Sequence, residues 1–104
     1  MRDLDRLFID HPEFRRYFYE GATAPKNPLE QARLEGVCEY ILDVYDFMLA
    51  GMDRYPSLWP DREYYETWMG DIFRNSPTLC AYLDKRDTWY NDRVKRIKRN
   101  ALKH

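Results

Sequence analysis

The chain has little of what most catalytic and metal chemistry requires. Two histidines, two cysteines and four glycines are spread over 104 residues. The histidines are His11 and the terminal His104, and neither follows a glutamate by three residues, so the Glu-x-x-His pairs of a di-iron bundle are missing. Cys38 and Cys80 are too few and too far apart for a disulfide scaffold or a paired C-x-x-C zinc site. Both read as reduced, largely buried cysteines of a cytoplasmic protein. A thiol nucleophile needs a neighbouring base, and nothing in the spacing of His11 favours pairing it with either cysteine. The sparse glycines form no P-loop, dinucleotide turn or G-x-S-x-G elbow. They read instead as helix-end or close-packing positions. No apolar run approaches the ~20 residues of a membrane-spanning helix, and the opening MRDLDRLF is charged at once, unlike a signal peptide. No catalytic, cofactor-binding or metal-binding residue is assigned, no cofactor is expected, and the expectation is a protein that is not an enzyme.

Aromatic rings are plentiful: nine tyrosines, five phenylalanines and three tryptophans. Each can bury ~150–250 Å², so a modest single core built largely from rings is feasible in one domain. Tyrosine also suits partner surfaces, where its ring packs and its hydroxyl stays wet. Charge is unevenly placed. Residues 1–84 hold nine Lys/Arg against sixteen Asp/Glu, a balance of −7, and residues 85–104 hold eight against two, a balance of +6. An acidic body argues against a general nucleic-acid binder, because phosphate neutralisation needs a coherent basic face.

Prolines mark the organisation. Pro12 follows Asp10 and His11, Pro28 follows Asn27, and Pro77 follows Ser76. Each pairs a side-chain acceptor with a proline where the first helical turn has no need of an amide donor. Pro60 follows Trp59, which cannot cap, but Asp61 can. Between these points the apolar residues recur at helical spacing. Over residues 28–52, Leu34, Val37, Cys38, Ile41, Val44, Tyr45, Met48 and Met52 share one face, and Glu35, Glu39, Asp43 and Asp46 form an acidic stripe on another. Tyr40 and Phe47 fall on a third side, beside Arg33. Residues 61–74 repeat the pattern with Tyr64, Tyr65, Trp68, Met69 and Ile72, and residues 77–83 carry Leu79, Cys80, Tyr82 and Leu83. The expected fold is all-α: a single compact bundle of four to five helices over residues 1–90, with one long central amphipathic helix. A basic amphipathic C-terminal helix over residues 91–104 is expected to pack on the same domain.

In that last segment Tyr90, Val94, Ile97 and Ala101 make a narrow apolar stripe, with Trp89 to one side, and Arg93, Lys95, Arg96, Lys98 and Arg99 occupy most of the rest. Such a helix can lie on an anionic membrane surface, contact phosphates or bind an acidic protein groove. It can equally dock its stripe on the domain and face its charges to solvent or to the acidic stripe. In "HPEFRRYFYEG", Phe14, Tyr17 and Phe18 share one helical face after a cap at Asp10 or His11, and Gly21 sits where a left-handed C-terminal residue is favoured. Tyr19 points away from those three rings, which makes Tyr19 with Arg15 and Arg16 a candidate contact.

The blocks H-P-E-F-R-R-Y-F-Y-E-G and N-S-P-T-L-C-A-Y-L, joined by the long helix, resemble a family of short uncharacterised bacterial helical proteins, mainly actinobacterial, whose function is unknown. The likeness covers roughly residues 5–90. It departs from the family block at Phe14, Arg16 and Glu20, changes that a helix tolerates. The resemblance implies a helical fold, with a helix already under way near Met1, and supplies no activity or catalytic residues. Many members carry a hydrophobic N-terminal segment and a linking helix ahead of this region, features that these residues lack. The leading functional expectation is a helical protein-interaction module that is able to self-associate, with Arg15, Arg16, Tyr19, Trp89, Tyr90, Arg93, Lys95, Arg96, Lys98 and Arg99 as candidate partner-binding residues. The alternative is a small nucleic-acid-contacting protein acting through the basic C-terminal helix.

Overall fold

A computed structural model describes the backbone of residues 2–103 and the side chains of residues 6–103; Met1 and His104, where a helix start and the second histidine were noted, lie outside the described residues. Six α-helices follow in order: α1 (Arg2–Asp10), α2 (Arg15–Tyr19), α3 (Pro28–Arg54), α4 (Arg62–Asn75), α5 (Pro77–Lys85) and α6 (Asp92–Leu102). Single 3₁₀ turns at Pro12–Phe14, Pro56–Leu58 and Asp87–Trp89 link them, and no strand occurs among the described residues. The expected all-α bundle is present, with α1–α5 within residues 1–90 and α6 as the C-terminal helix.

α3 is the spine. Its 27 residues span about 40 Å at 1.5 Å per residue, nearly the whole 44 Å long axis of the molecule. Asn27 starts it: the side-chain oxygen accepts from the amides of Leu29 (2.9 Å) and Glu30 (3.3 Å), and Pro28 needs no donor. Leu34, Val37, Cys38, Ile41, Tyr45, Met48 and Met52 are buried as their spacing predicts, Leu42 and Leu49 join them, and Val44 is half-buried at the edge. Gly36 has no close-packing role: it is exposed in mid-helix, and a Cβ there would meet nothing within 4 Å.

The prolines act as helix starts, with two changes of detail. At Pro12 the first turn is 3₁₀ rather than α, and neither the Asp10 nor the His11 side chain caps it; His11 lies instead beside Glu13, with Nδ1–Oε1 at 3.5 Å. Asp61 occupies the N-cap position of α4 without a side-chain capping bond. Gly21, at φ +71°, turns the chain out of α2 while the Ala22 amide reaches back to the Arg16 carbonyl (3.1 Å). That positive φ is the conformation that favours glycine.

Among the described residues Ser76 is the only buried polar residue. Its Oγ accepts from the Leu79 amide (3.0 Å), capping α5, and donates to the Tyr17 carbonyl (2.6 Å), tying α5 to α2 across 59 positions of sequence. α6 packs mainly on α4 and secondarily on α3. Val94, Ile97 and Ala101 form its buried face, and Gly70 of α4 allows the approach, since a Cβ there would stand 3.3 Å from the Ala101 Cβ. Burying each of the two larger side chains is worth about 1.5–3 kcal/mol. An exposed ion pair is worth about 0.2–1 kcal/mol, so the apolar stripe decides where α6 docks and the charges adjust around it.

Ser76→Ala removes a cap and leaves the buried Tyr17 carbonyl without its donor, so urea unfolding is expected to show a loss of about 2–4 kcal/mol. Asn27→Ala, at an exposed cap, is expected to cost about 1 kcal/mol, and Gly36→Ala to stabilise by about 0.5–1 kcal/mol. Equal effects for the two cap variants would contradict the double role of Ser76.

Candidate functional site

Two surfaces gather the exposed rings and the basic residues. The first runs along α3. Tyr40, Val44, Phe47 and Gly51 are spaced three or four apart and share one side of the helix. Phe47 is 81% exposed, and Tyr40 is exposed beside it. The Trp59 ring lies over Gly51, with Nε1 3.6 Å from where a Cβ would stand, so this row runs on into the segment after α3. Trp59 makes an edge contact with Tyr65 (5.6 Å between centroids), and Tyr65 another with Tyr64 (5.5 Å). Leu58 is 72% and Tyr64 66% exposed. Tyr64 therefore departs from its expected place on the core face of α4, because Tyr65 and Trp59 fill the space between it and α3. Leu58 was missed: the prolines in P-S-L-W-P hide any helical period, and only the fold sets its side chain outward.

The acidic stripe borders this row. Asp43 has its carboxyl pushed above the ordinary value, first by partial desolvation and then by the like charges of Glu39 and Asp46. The ends of the stripe are neutralised, Glu35 by Lys85 (2.7 Å) and Asp46 more loosely by Arg93 (4.0 Å).

The second surface is α6, started by Asn91, whose side chain accepts from the Arg93 amide (3.2 Å). Most of its cations are engaged within the molecule. Arg93 Nε lies 3.7 Å from Asp53, Lys95 pairs with Asp87 (3.1 Å), and Lys98 bonds to Asp84. Asp53 also takes Arg62 (2.8 Å), which in turn holds Glu66 (3.0 Å). Those bonds, to Asp53 first and Glu66 second, raise the Arg62 pKa further. Arg96 and Arg99 remain exposed. Between α4 and α6 lies an open cavity of about 260 Å³ whose polar wall includes Glu63, Glu66, Arg74 and Asn100. Arg74 there donates to the Ala101 carbonyl (3.0 Å), serving one of the last carbonyls of α6.

Two candidate contacts are corrected. Tyr90 is buried, because its ring belongs to the stripe that docks α6; its hydroxyl is hydrogen-bonded to Tyr82, and desolvation pushes its pKa well up. Tyr19 does not point away from the core. It is half-buried with its ring edge-on to Phe8 (5.3 Å), since α1 covers the side of α2 that periodicity alone leaves open. Arg15 lies over the Tyr19 ring (4.7 Å), and Arg16 over Tyr17 (4.9 Å), donating to its hydroxyl (2.9 Å). Trp89 is exposed as expected and carries Arg86 over its ring (4.4 Å). The candidates therefore divide between α2 and α6 instead of forming one patch.

No family model, curated protein or solved structure matches this chain. Its chemistry rests on its own residues. Among the described residues no cluster of His, Cys, Asp or Glu has an arrangement able to hold a metal, and no helix is long and apolar enough to cross a membrane. Both cysteines are free thiols. Burial, with help from Glu35, pushes the Cys38 pKa up to about 12, and desolvation also raises that of Cys80.

At pH 8 the native thiols are expected to react with Ellman's reagent far more slowly than the urea-unfolded chain, by about a thousandfold for Cys38 on thiolate fraction alone. Because folded Cys38 holds its proton more tightly than the unfolded thiol, its contribution to stability is complete below about pH 9 and is lost as pH rises toward about 12. Tyr45 and Tyr90, also shifted upward, act in the same direction. A urea midpoint that fails to fall over pH 9–11 would contradict this burial.

Proposed function

We propose that this protein is a helical protein-interaction module without catalytic activity, and that it associates with a second copy of itself. The carrying observation is the row of exposed apolar side chains on one side of α3 and beyond it, with Phe47 most exposed and Leu58 and Tyr64 further along. Single exposed rings are ordinary on a monomer, but several along one helix side suit an interface. Aromatic anchors lose little side-chain entropy and fill pockets on a partner well.

Charge supports the choice of a second copy. The crowded carboxylates of Glu39 and Asp43 flank the aromatic row, and Arg96 and Arg99 are exposed on α6. Opposite charges on two copies orient an encounter, and in a two-fold dimer each such contact occurs twice. The nucleic-acid reading has less support, because Arg93, Lys95 and Lys98 are committed to Asp53, Asp87 and Asp84. Two free arginines make a short basic face.

Light scattering behind size exclusion is expected to show a dimer at high micromolar concentration, loosening as salt rises. Phe47→Asp is expected to give a monomer with unchanged helicity and a stability within about 0.5 kcal/mol of the parent, since the position is exposed. A wild-type chain that stays monomeric at high micromolar concentration contradicts self-association. A salt-dependent affinity for DNA or RNA that Arg96→Gln with Arg99→Gln abolishes would instead favour nucleic-acid contact.

A further inference from the structure

The Tyr40–Phe47 side of α3 belongs to a longer exposed stripe. Leu29, Gly36, Tyr40, Asp43, Phe47 and Arg54 fall within about 60° of arc at ~100° per residue, and all six are exposed. Their spacings read alike from either end: seven, four, three, four and seven. Steps of three, four and seven are those of a coiled-coil seam, where side chains of one helix enter gaps on another. A stripe that repeats itself on reversal is self-complementary. When two copies lie antiparallel about a two-fold axis crossing between residues 41 and 42, Gly36 comes level with Phe47, Tyr40 with Asp43 and Leu29 with Arg54, and each pairing occurs twice.

This register matches features that one copy leaves unused. Phe47, at 81%, is the most exposed large apolar side chain among the described residues. Gly36 weakens the middle of an exposed helix, yet within its own chain a Cβ there would meet nothing within 4 Å. The open space over the glycine takes the projecting ring of the other copy. Asp43 is the acid on the centre line of the stripe, and the Tyr40 hydroxyl opposite it is a donor for its carboxylate. Asp46, to one side, already has Arg93 at 4.0 Å. At each end Arg54 arrives beside Glu30, the residue after Leu29, so opposite charges meet. Leu29 at the start of α3 and Leu58 just past its end are 70% and 72% exposed, and only an antiparallel pair brings these ends together. A parallel pair would set Asp43 against Asp43 and Gly36 against Gly36, leaving like charges opposed and the gap unfilled.

We propose that the partner of this surface is α3 of a second copy, packed antiparallel, with Phe47 of each chain seated over Gly36 of the other. The inference rests on the self-association proposed above and adds its orientation and register.

The test uses the full chain at a concentration where light scattering gives a dimer. Leu29→Cys and Arg54→Cys chains, mixed in equal amounts and mildly oxidised, are expected to form chiefly the mixed disulfide. Each alone is expected to form little, because in this register a residue at either end lies about 40 Å along the helix axis from the same residue of the other copy. The parent chain, whose cysteines are Cys38 and Cys80, is the control. Gly36→Phe and Phe47→Ala are each expected to weaken the dimer about tenfold with helicity unchanged, and together to recover most of that loss, since the exchange again sets one large side chain against one small one. Like-with-like disulfides, disulfides without preference, or additive losses in the double variant overturn the register while leaving self-association standing. A parent chain that stays monomeric overturns self-association and this register with it.

Discussion

One hydroxyl joins the two halves of this bundle. Ser76 sits between α4 and α5, ending one helix and starting the next, and is fully buried. By accepting from Leu79 it starts α5, and by donating to Tyr17 it sets α5 against α2. The position of α2 then determines where Phe18 enters the core and where Phe8 of α1 finds its partner, 5.5 Å away between centroids. A buried hydroxyl with both bonds made is well tolerated; one with a bond missing is costly. The arrangement of α1, α2 and α5 therefore depends on a single geometry being satisfied.

The charges follow the apolar packing. A body at −7 and a tail at +6 attract each other over any geometry, so attraction alone chooses none. Tyr90, Val94, Ile97 and Ala101 choose it, by fitting α6 against α4 and α3. Asp46, Asp53, Glu66, Asp84 and Asp87 then stand where Arg62, Arg93, Lys95 and Lys98 can reach them. What was a basic helix in sequence becomes one with two arginines left exposed along its length. The same packing leaves Tyr40 and Phe47 exposed on α3.

Much of the fold was legible in the sequence. The caps at Asn27 and Ser76, the core face of α3 and the stripe of α6 all follow from spacing and side-chain chemistry that act within one or two turns. Tyr19 and Tyr64 were misplaced for a common reason. Each ring lies at the margin of a helical face, and its exposure depends on what other segments pack there: α1 covers Tyr19, whereas Trp59 and Tyr65 pack together and Tyr64 is left outside. Gly36 shows the converse, a residue type suggestive of close packing at a position where nothing approaches.

The sequence by itself determined that this is an all-α chain with one long amphipathic spine, proline-marked helix starts and an unevenly charged surface, because those properties arise from local periodicity and composition. The tertiary structure alone decided which rings remain outside, which cations are neutralised, and that the Ser76 hydroxyl reaches Tyr17. Those outcomes depend on helix crossing positions between residues tens of positions apart, and no one-dimensional pattern encodes the distance between two faces.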